Sequence, residues 1–223
     1  MRMNKKSLIL HLATPFLLAS VCIGILAVAM IKPADKLKVF VNIAFMDSLK
    51  SNPTDNNSGL VIRDNDIIRN YSGQTSSEGD VIRPAFAEMY AVLSCDAIGI
   101  DIPVYWGSNA ELLEHGACQS SSSAIVGTEG NAVISAHVDT YFADLDKLKE
   151  GDAITINTNY GQFTYSVRSL IEFSGSDRKY ITPKDDTRLT IYTCKKNLLG
   201  ASSQRIGVIC DLKESLFYEE VQK

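Results

Sequence analysis

Two side chains near the end of this sequence are of types suited to nucleophilic chemistry, a thiol and a guanidinium. Cys194 closes the run Arg188 to Cys194 (RLTIYTC), and Arg205 opens the run Arg205 to Leu212 (RIGVICDL) after a loop from Lys195 to Gln204. In the first run Leu189, Ile191 and Thr193 alternate with Thr190, Tyr192 and Cys194. In the second, Ile206, Val208, Cys210 and Leu212 alternate with Arg205, Gly207, Ile209 and Asp211. A period of two marks β-strands with one face on a core. By parity Cys194 lies opposite Leu189 and Ile191, and Arg205 opposite Ile206 and Val208. A thiol and a guanidinium then share the side of the strands away from the core, where packing needs neither.

A nearby guanidinium or imidazolium raises the fraction of thiolate, which is the nucleophile. Three histidines are available as a base: His11 within an apolar run, His115 in the polar turn LLEHG, and His137 at the end of the apolar strand Ala132 to Ala136. On position alone His137 reads equally as a half-buried histidine at a strand end, and Arg205 as a surface arginine with its stem on the sheet. Asp139 serves either to orient His137 or to cap a turn. Lys195 and Lys196 add positive charge beside the thiol, although exposed lysines are usually only solvated.

The other cysteines are at positions 22, 95, 118 and 210, with no Cys-x-x-Cys pair. That spacing argues against structural zinc, and neither metal nor cofactor is expected. Cys210 falls on the core face as an inert packing residue. Cys95 and Cys118 belong to no motif. A disulfide from Cys95 to Cys210 or Cys118 stays open, as does one through Cys194, which would make the domain a non-catalytic envelope module.

The elements that must position these groups are short strands. Ile100, Ile102 and Val104 alternate, as do Ile154 and Ile156, and Phe163, Tyr165, Val167, Ser169, Ile171 and Phe173 alternate over the longest run. Ala110 to His115 and Asp144 to Lys149 read as short helical turns. Many short strands at close spacing predict an all-β barrel with one or two small helices.

The N-terminal part differs in composition. Arg2, Lys5 and Lys6 precede Leu8 to Ile31, which holds no formally charged side chain. That run is long enough to cross a bilayer, and its basic flank places the N-terminus in the cytoplasm. Ala27-Val28-Ala29 offers a signal-peptidase site, but the length of the run favours an uncleaved anchor. Val21 before Cys22 is too bulky for a lipoprotein box. Asp35 to Lys50 has apolar residues at helical spacing, and Ser51 to Gly59 and Asn70 to Gly79 read as linkers. Leu60 to Ile68, between them, is a weak strand or helix suited to covering a surface. The predicted organisation is a tail and transmembrane anchor over 1–34, a juxtamembrane helix and linker over 35–79, and a catalytic barrel over 80–223. Residues 1–38 carry six basic residues and one acidic, leaving the remainder at a net −9. Such an acidic body argues against a nucleic-acid partner.

Thr190 to Cys194 (TIYTC) resembles the Thr-Leu-x-Thr-Cys signature of sortases, the cell-wall transpeptidases of Gram-positive bacteria, with Ile191 in place of the usual Leu. Gly130 to Asp152 resembles that family's His-bearing segment, and Asp101 to Gly107 (DIPVYWG) an early strand of its barrel. The resemblance covers roughly Asp80 to Lys213. It implies a closed sortase β-barrel with Cys194 as nucleophile, His137 as acid and base, Arg205 holding the oxyanion, and Thr190, Tyr192 and Thr193 beside the substrate. Ala136 and Val138 flank His137 where sortases commonly have Gly before the histidine and often Arg soon after. The implied partners are secreted proteins with a C-terminal sorting motif of the LPXTG type, and a peptidoglycan-precursor or pilin amine. The implied location is the outer face of the cell membrane, and the implied class is D-like or B-like. A chain ending about ten residues beyond Leu212 without a second apolar span favours wall anchoring over pilus assembly. A hydrolytic cysteine endopeptidase on the same barrel would share every motif.

Overall fold

The computed structural model describes Ser20, Cys22, residues 60–197 and residues 202–219. The chain divides into two units, Met1–Asn42 and Ile43–Lys223. In the first, Ser20 and Cys22 are helical and exposed, and the rest of the expected anchor lies outside the described residues. Among those described, no helix is long and apolar enough to cross a membrane. The expected juxtamembrane helix, Asp35 to Lys50, also lies outside them.

The second unit is built on strands β1 (Thr75–Ser76), β2 (Met89–Cys95), β3 (Ile100–Trp106), β4 (Ala117–Gln119), β5 (Asn131–Ser135), β6 (Ala153–Thr158), β7 (Gly161–Ser174), β8 (Arg188–Cys194) and β9 (Gln204–Tyr218). The α-helix of this unit is α1 (Ala110–His115), capped by Asn109, whose side chain accepts from the Leu112 amide. Leu145–Lys147 forms a turn of 3-10 helix, so both helical turns expected from sequence are present. The sheet runs β9-β7-β6-β2-β3-β4-β5-β8, and β8 pairs again with β9, closing an eight-stranded barrel. β1 adds to the far end of β9, with Thr75 opposite Tyr218. Closure leaves the barrel strands no free edge for another chain to pair with.

Most neighbours are antiparallel; β3 with β4 and β5 with β8 are parallel. Parallel pairing needs a crossover, here α1 in one case and β6 with β7 in the other. The interior is filled by Ile102, Val104, Ile154, Ile156, Phe163, Tyr165, Val167, Leu189, Ile191, Val208 and Cys210, each 2% exposed or less. β2 gives no alternating signal in the sequence because nearly every one of its residues is buried.

β7 departs from the sequence expectation. Its unbroken alternation predicts one inward set from Phe163 to Phe173, but a bulge between Val167 and Ser169 shifts the register on β9. Val167 faces Cys210, whereas Phe173 faces Arg205. Residues opposite each other in an antiparallel pair project to the same side, so the bulge moves Phe173 from the interior to the outer face.

A second departure concerns residues 60–79. Asn70 to Gly79 contains β1 rather than a free linker, and Tyr71 stacks on Tyr218 with ring centroids 4.0 Å apart. Leu60, Ile62 and Ile67 are neither strand nor helix, apart from a single bridge from Arg63 to Glu88. They cover an apolar cluster of Ala87, Met89, Val92, Tyr105, Leu112 and Cys118. The packed domain therefore starts about twenty residues before Asp80, because β2 and β3 present apolar surface outside as well as inside the barrel.

Candidate active site

β8 and β9 bring Cys194 and Arg205 directly opposite each other. The inward residues of β8 are Leu189 and Ile191, opposite Cys210 and Val208, so Cys194 and Arg205 both project outward. His137 arrives from the other edge of β8. β5 runs parallel to β8 in a register that ends with Ser135 opposite Tyr192, and Thr193 Oγ1 extends it by donating to the Ala136 carbonyl at 2.7 Å. Continued two residues past that last pair, the same register would bring His137 level with Cys194. His137 is exposed, and its carbonyl accepts from the Phe142 amide at 3.0 Å, closing the turn that follows. Three strands thus deliver a thiol, an imidazole and a guanidinium to one end of the barrel.

Arg205 is held by its surroundings. Its Nη1 donates to the carbonyls of Ser202 at 2.8 Å and Gln204 at 3.1 Å. A Cβ on Gly175 would meet Nη2 at 3.1 Å, so glycine there gives the guanidinium its place against the end of β7. Among the described residues no carboxylate pairs with Arg205. Of its five N–H donors, those on Nη2 and Nε stay available for a ligand oxygen.

The five cysteines are all free. Burial pushes the thiols of Cys95, Cys118 and Cys210 up, Cys118 to about 12, so at neutral pH these three are protonated and unreactive. Cys194 is the half-exposed cysteine of the barrel. His115 lies edge-on to Tyr105 at the end of α1, remote from β8 in the sheet order.

Thr190 and Thr193 are buried, with their hydroxyls committed to the framework: Thr190 Oγ1 donates to Asn131 Oδ1 at 2.8 Å, and Thr193 to Ala136. In this structure they hold strands rather than present hydroxyls to a ligand, because the outer face of β8 is covered where Thr190 lies. Tyr192 remains half-buried beside Cys194. It crosses Gly207, where a Cβ would come within 2.9 Å of the tyrosine Cβ and 2.2 Å of the Ile191 carbonyl, so only glycine fits. Asp139 is exposed and forms no side-chain hydrogen bond among the described residues. Lys195 pairs with Glu172 at 2.6 Å, and the Lys196 ammonium donates to the Ala143 carbonyl, tying the loop after Cys194 to the one after His137. Residues 198–201 of that loop lie outside the described residues.

Sequence reading missed an aromatic row. Phe173 meets Tyr180 at 5.5 Å and Tyr192 at 5.7 Å between ring centroids, and these rings bury it outside the barrel. Only the bulge in β7, which the sequence pattern hides, would have revealed it.

A family model described as "Sortase domain" matches residues 93–213. The chain belongs to the sortase family. It is similar to sortase D of Bacillus subtilis (strain 168), with 27% identity over 113 residues, covering 50% of this chain and 57% of that protein. The match thus spans little more than half of that relative's length. Among solved structures, a Clostridium perfringens sortase D5 transpeptidase is similar at 26% identity and a TM-score of 0.54, covering 59% of this chain and 82% of that one. Sortase E from Streptomyces avermitilis shares the fold at 24% identity and a TM-score of 0.54, over 60% and 93% of the two chains.

Proposed function

We propose that this sortase is a membrane-anchored cysteine transpeptidase that cuts a C-terminal sorting motif of the LPXTG type in secreted proteins and joins the new carboxyl end to a cell-wall or pilin amine. The observation that carries this reading is the register that sets Cys194 opposite Arg205, with His137 two residues past the last pair of β5 with β8. The Cys194 thiolate adds to the carbonyl carbon of the scissile Thr–Gly bond. Arg205 donates hydrogen bonds to the oxyanion, and His137 protonates the amine as the C–N bond breaks. The thioacyl-enzyme is then attacked by the acceptor amine, whose proton passes to His137 as the thiolate departs.

The anchor rests on the uncharged run Leu8 to Ile31, which would hold the barrel outside the membrane. The similarity to proteins named sortase D supports the class D-like over the class B-like reading.

Mass spectrometry of the purified domain with an LPXTG-type peptide tests the reaction. The thioacyl adduct should form on Cys194, and an added amine should convert it to a ligated product. Cys194→Ala should form no adduct while melting as the native protein does. Release of the free acid at the same rate with and without amine would make the enzyme a hydrolase, and an active Cys194→Ala protein would end the assignment.

A further inference from the structure

The connection between β7 and β8, residues 175–187, folds back over the outer face of β5 and β8. One buried side chain fastens its middle there. Asn131, 1% exposed at the start of β5, donates from Nδ2 to the carbonyls of Tyr180 at 3.0 Å and Thr182 at 3.1 Å. Its Oδ1 accepts from Thr190 Oγ1 on β8 at 2.8 Å. Both amide hydrogens and the oxygen are thus engaged, and the acceptor bond fixes which way the amide faces. The two carbonyls belong to a turn in which the amides of Ile181 and Thr182 both donate to Arg178, each at 3.1 Å. That turn carries Tyr180, which covers Phe173 and through it touches Tyr192, two residues before Cys194.

The geometry points to Asn131 as a positioning residue. Oriented by Thr190, it locks the Tyr180–Thr182 turn onto the barrel and so sets the aromatic row of Tyr180, Phe173 and Tyr192 next to Cys194, which governs how tightly the sorting peptide is held. This rests on the transpeptidase reading for its substrate. It explains why Thr190, inside the signature segment, never reaches a ligand: it acts through Asn131. A buried amide donating to two backbone carbonyls is costly to lose, because both carbonyls are left without partners under cover. With the clamp gone the turn opens, and only the fraction of molecules with the row in place binds peptide at the original affinity.

Asn131→Asp keeps the shape and the acceptor for Thr190 but removes both donors. If the closed fraction falls to about one in ten, KM for the sorting peptide rises roughly tenfold with kcat little changed. Alkylation of Cys194 by iodoacetamide, which needs no aromatic row, should keep its native rate. Trypsin cuts after Arg178 and Lys179 report the turn directly and should come several-fold sooner in the variant. Should Asn131→Asp fail to fold, Thr190→Val, which keeps Asn131 but frees its orientation, is read in the same assays. Tryptic cutting at the native rate, or a fall in kcat with KM unchanged, overturns the assignment. If the native protein acylates no sorting peptide, the transpeptidase reading fails, and trypsin sensitivity still decides the clamp.

Discussion

The two ends of β8 are built from similar parts to opposite effect. At the start, Arg188 lies opposite Asp211 in the β9 register and is bound through Nε to Asp186 at 2.7 Å, with a second bond from Nη2 to the same carboxylate. Arg168, from the bulge of β7, joins Asp211 at 2.9 Å and Asp186 at 3.7 Å. Each cation there is matched by a carboxylate. At the other end Arg205 lies opposite a thiol and has only backbone carbonyls as partners among the described residues. An arginine neutralised by carboxylates serves the fold, whereas one held by dipoles keeps its charge for an anion that forms later. The carboxylates, rather than the arginines, distinguish scaffold from site.

Removing the unpaired cation should have the largest effect. Arg205→Ala should slow formation of the thioacyl-enzyme on the order of a hundredfold, the usual scale for one oxyanion donor. Arg205→Lys, which keeps charge but loses the planar fork, should also be strongly impaired. Single-turnover acylation of a labelled peptide measures this step, and near-native rates in both variants would reduce Arg205 to a surface residue.

Making the site resemble the other end should do less. Gly175→Asp places a carboxylate against the guanidinium, whose Nη2 lies 3.1 Å from the position of the new Cβ. An exposed ion pair of about 1 kcal/mol that must be given up on acylation slows the step roughly fivefold. Gly175→Asn is the neutral control. Equal rates in the two would show that charge at Arg205 does not matter.

The smallest effect is expected at the scaffold end. Arg188 holds the Asp186 carboxyl below its ordinary value, chiefly through their hydrogen bond. Its contribution to stability is therefore present above that ordinary value and is lost as pH falls through the lowered folded-state value. Asp186→Asn should lower unfolding stability at pH 7 by at most about 1 kcal/mol, as for other exposed pairs. The difference should vanish in strong acid, with acylation unchanged at neutral pH. Urea titrations at pH 7 and near pH 2 test this, and a gap that persists at low pH would rule out the ion pair as its source.

Much of this architecture is legible in the amino-acid order because one face of each strand is buried. Leu189 and Ile191 against Cys194, and Val208 against Arg205, declare their faces by alternation alone. Other features are silent for physical reasons. β2 is buried on both faces and so does not alternate. The bulge in β7 leaves a regular sequence pattern while moving Phe173 to the other side. His137 is a strand-end histidine until the parallel register of β5 on β8 brings its segment to the Cys194 end of that strand, and pairings between distant segments leave no local trace. Asn131 shows least of all, since a buried amide is recognisable only by its partners.

β9 pairs with β7 along its length and with β8 and β1 on its other edge, so it is both the last strand of the barrel in chain order and the one that closes it. Its partners range from β8, the strand just before it in the chain, to Thr75, which meets Tyr218 from far away in sequence, and the longer of these loops costs more entropy to close. Arg205 arrives with that strand. Without β9 in place the Cys194 thiol would have no guanidinium opposite it, so the pairing that seals the barrel is also the one that completes the site.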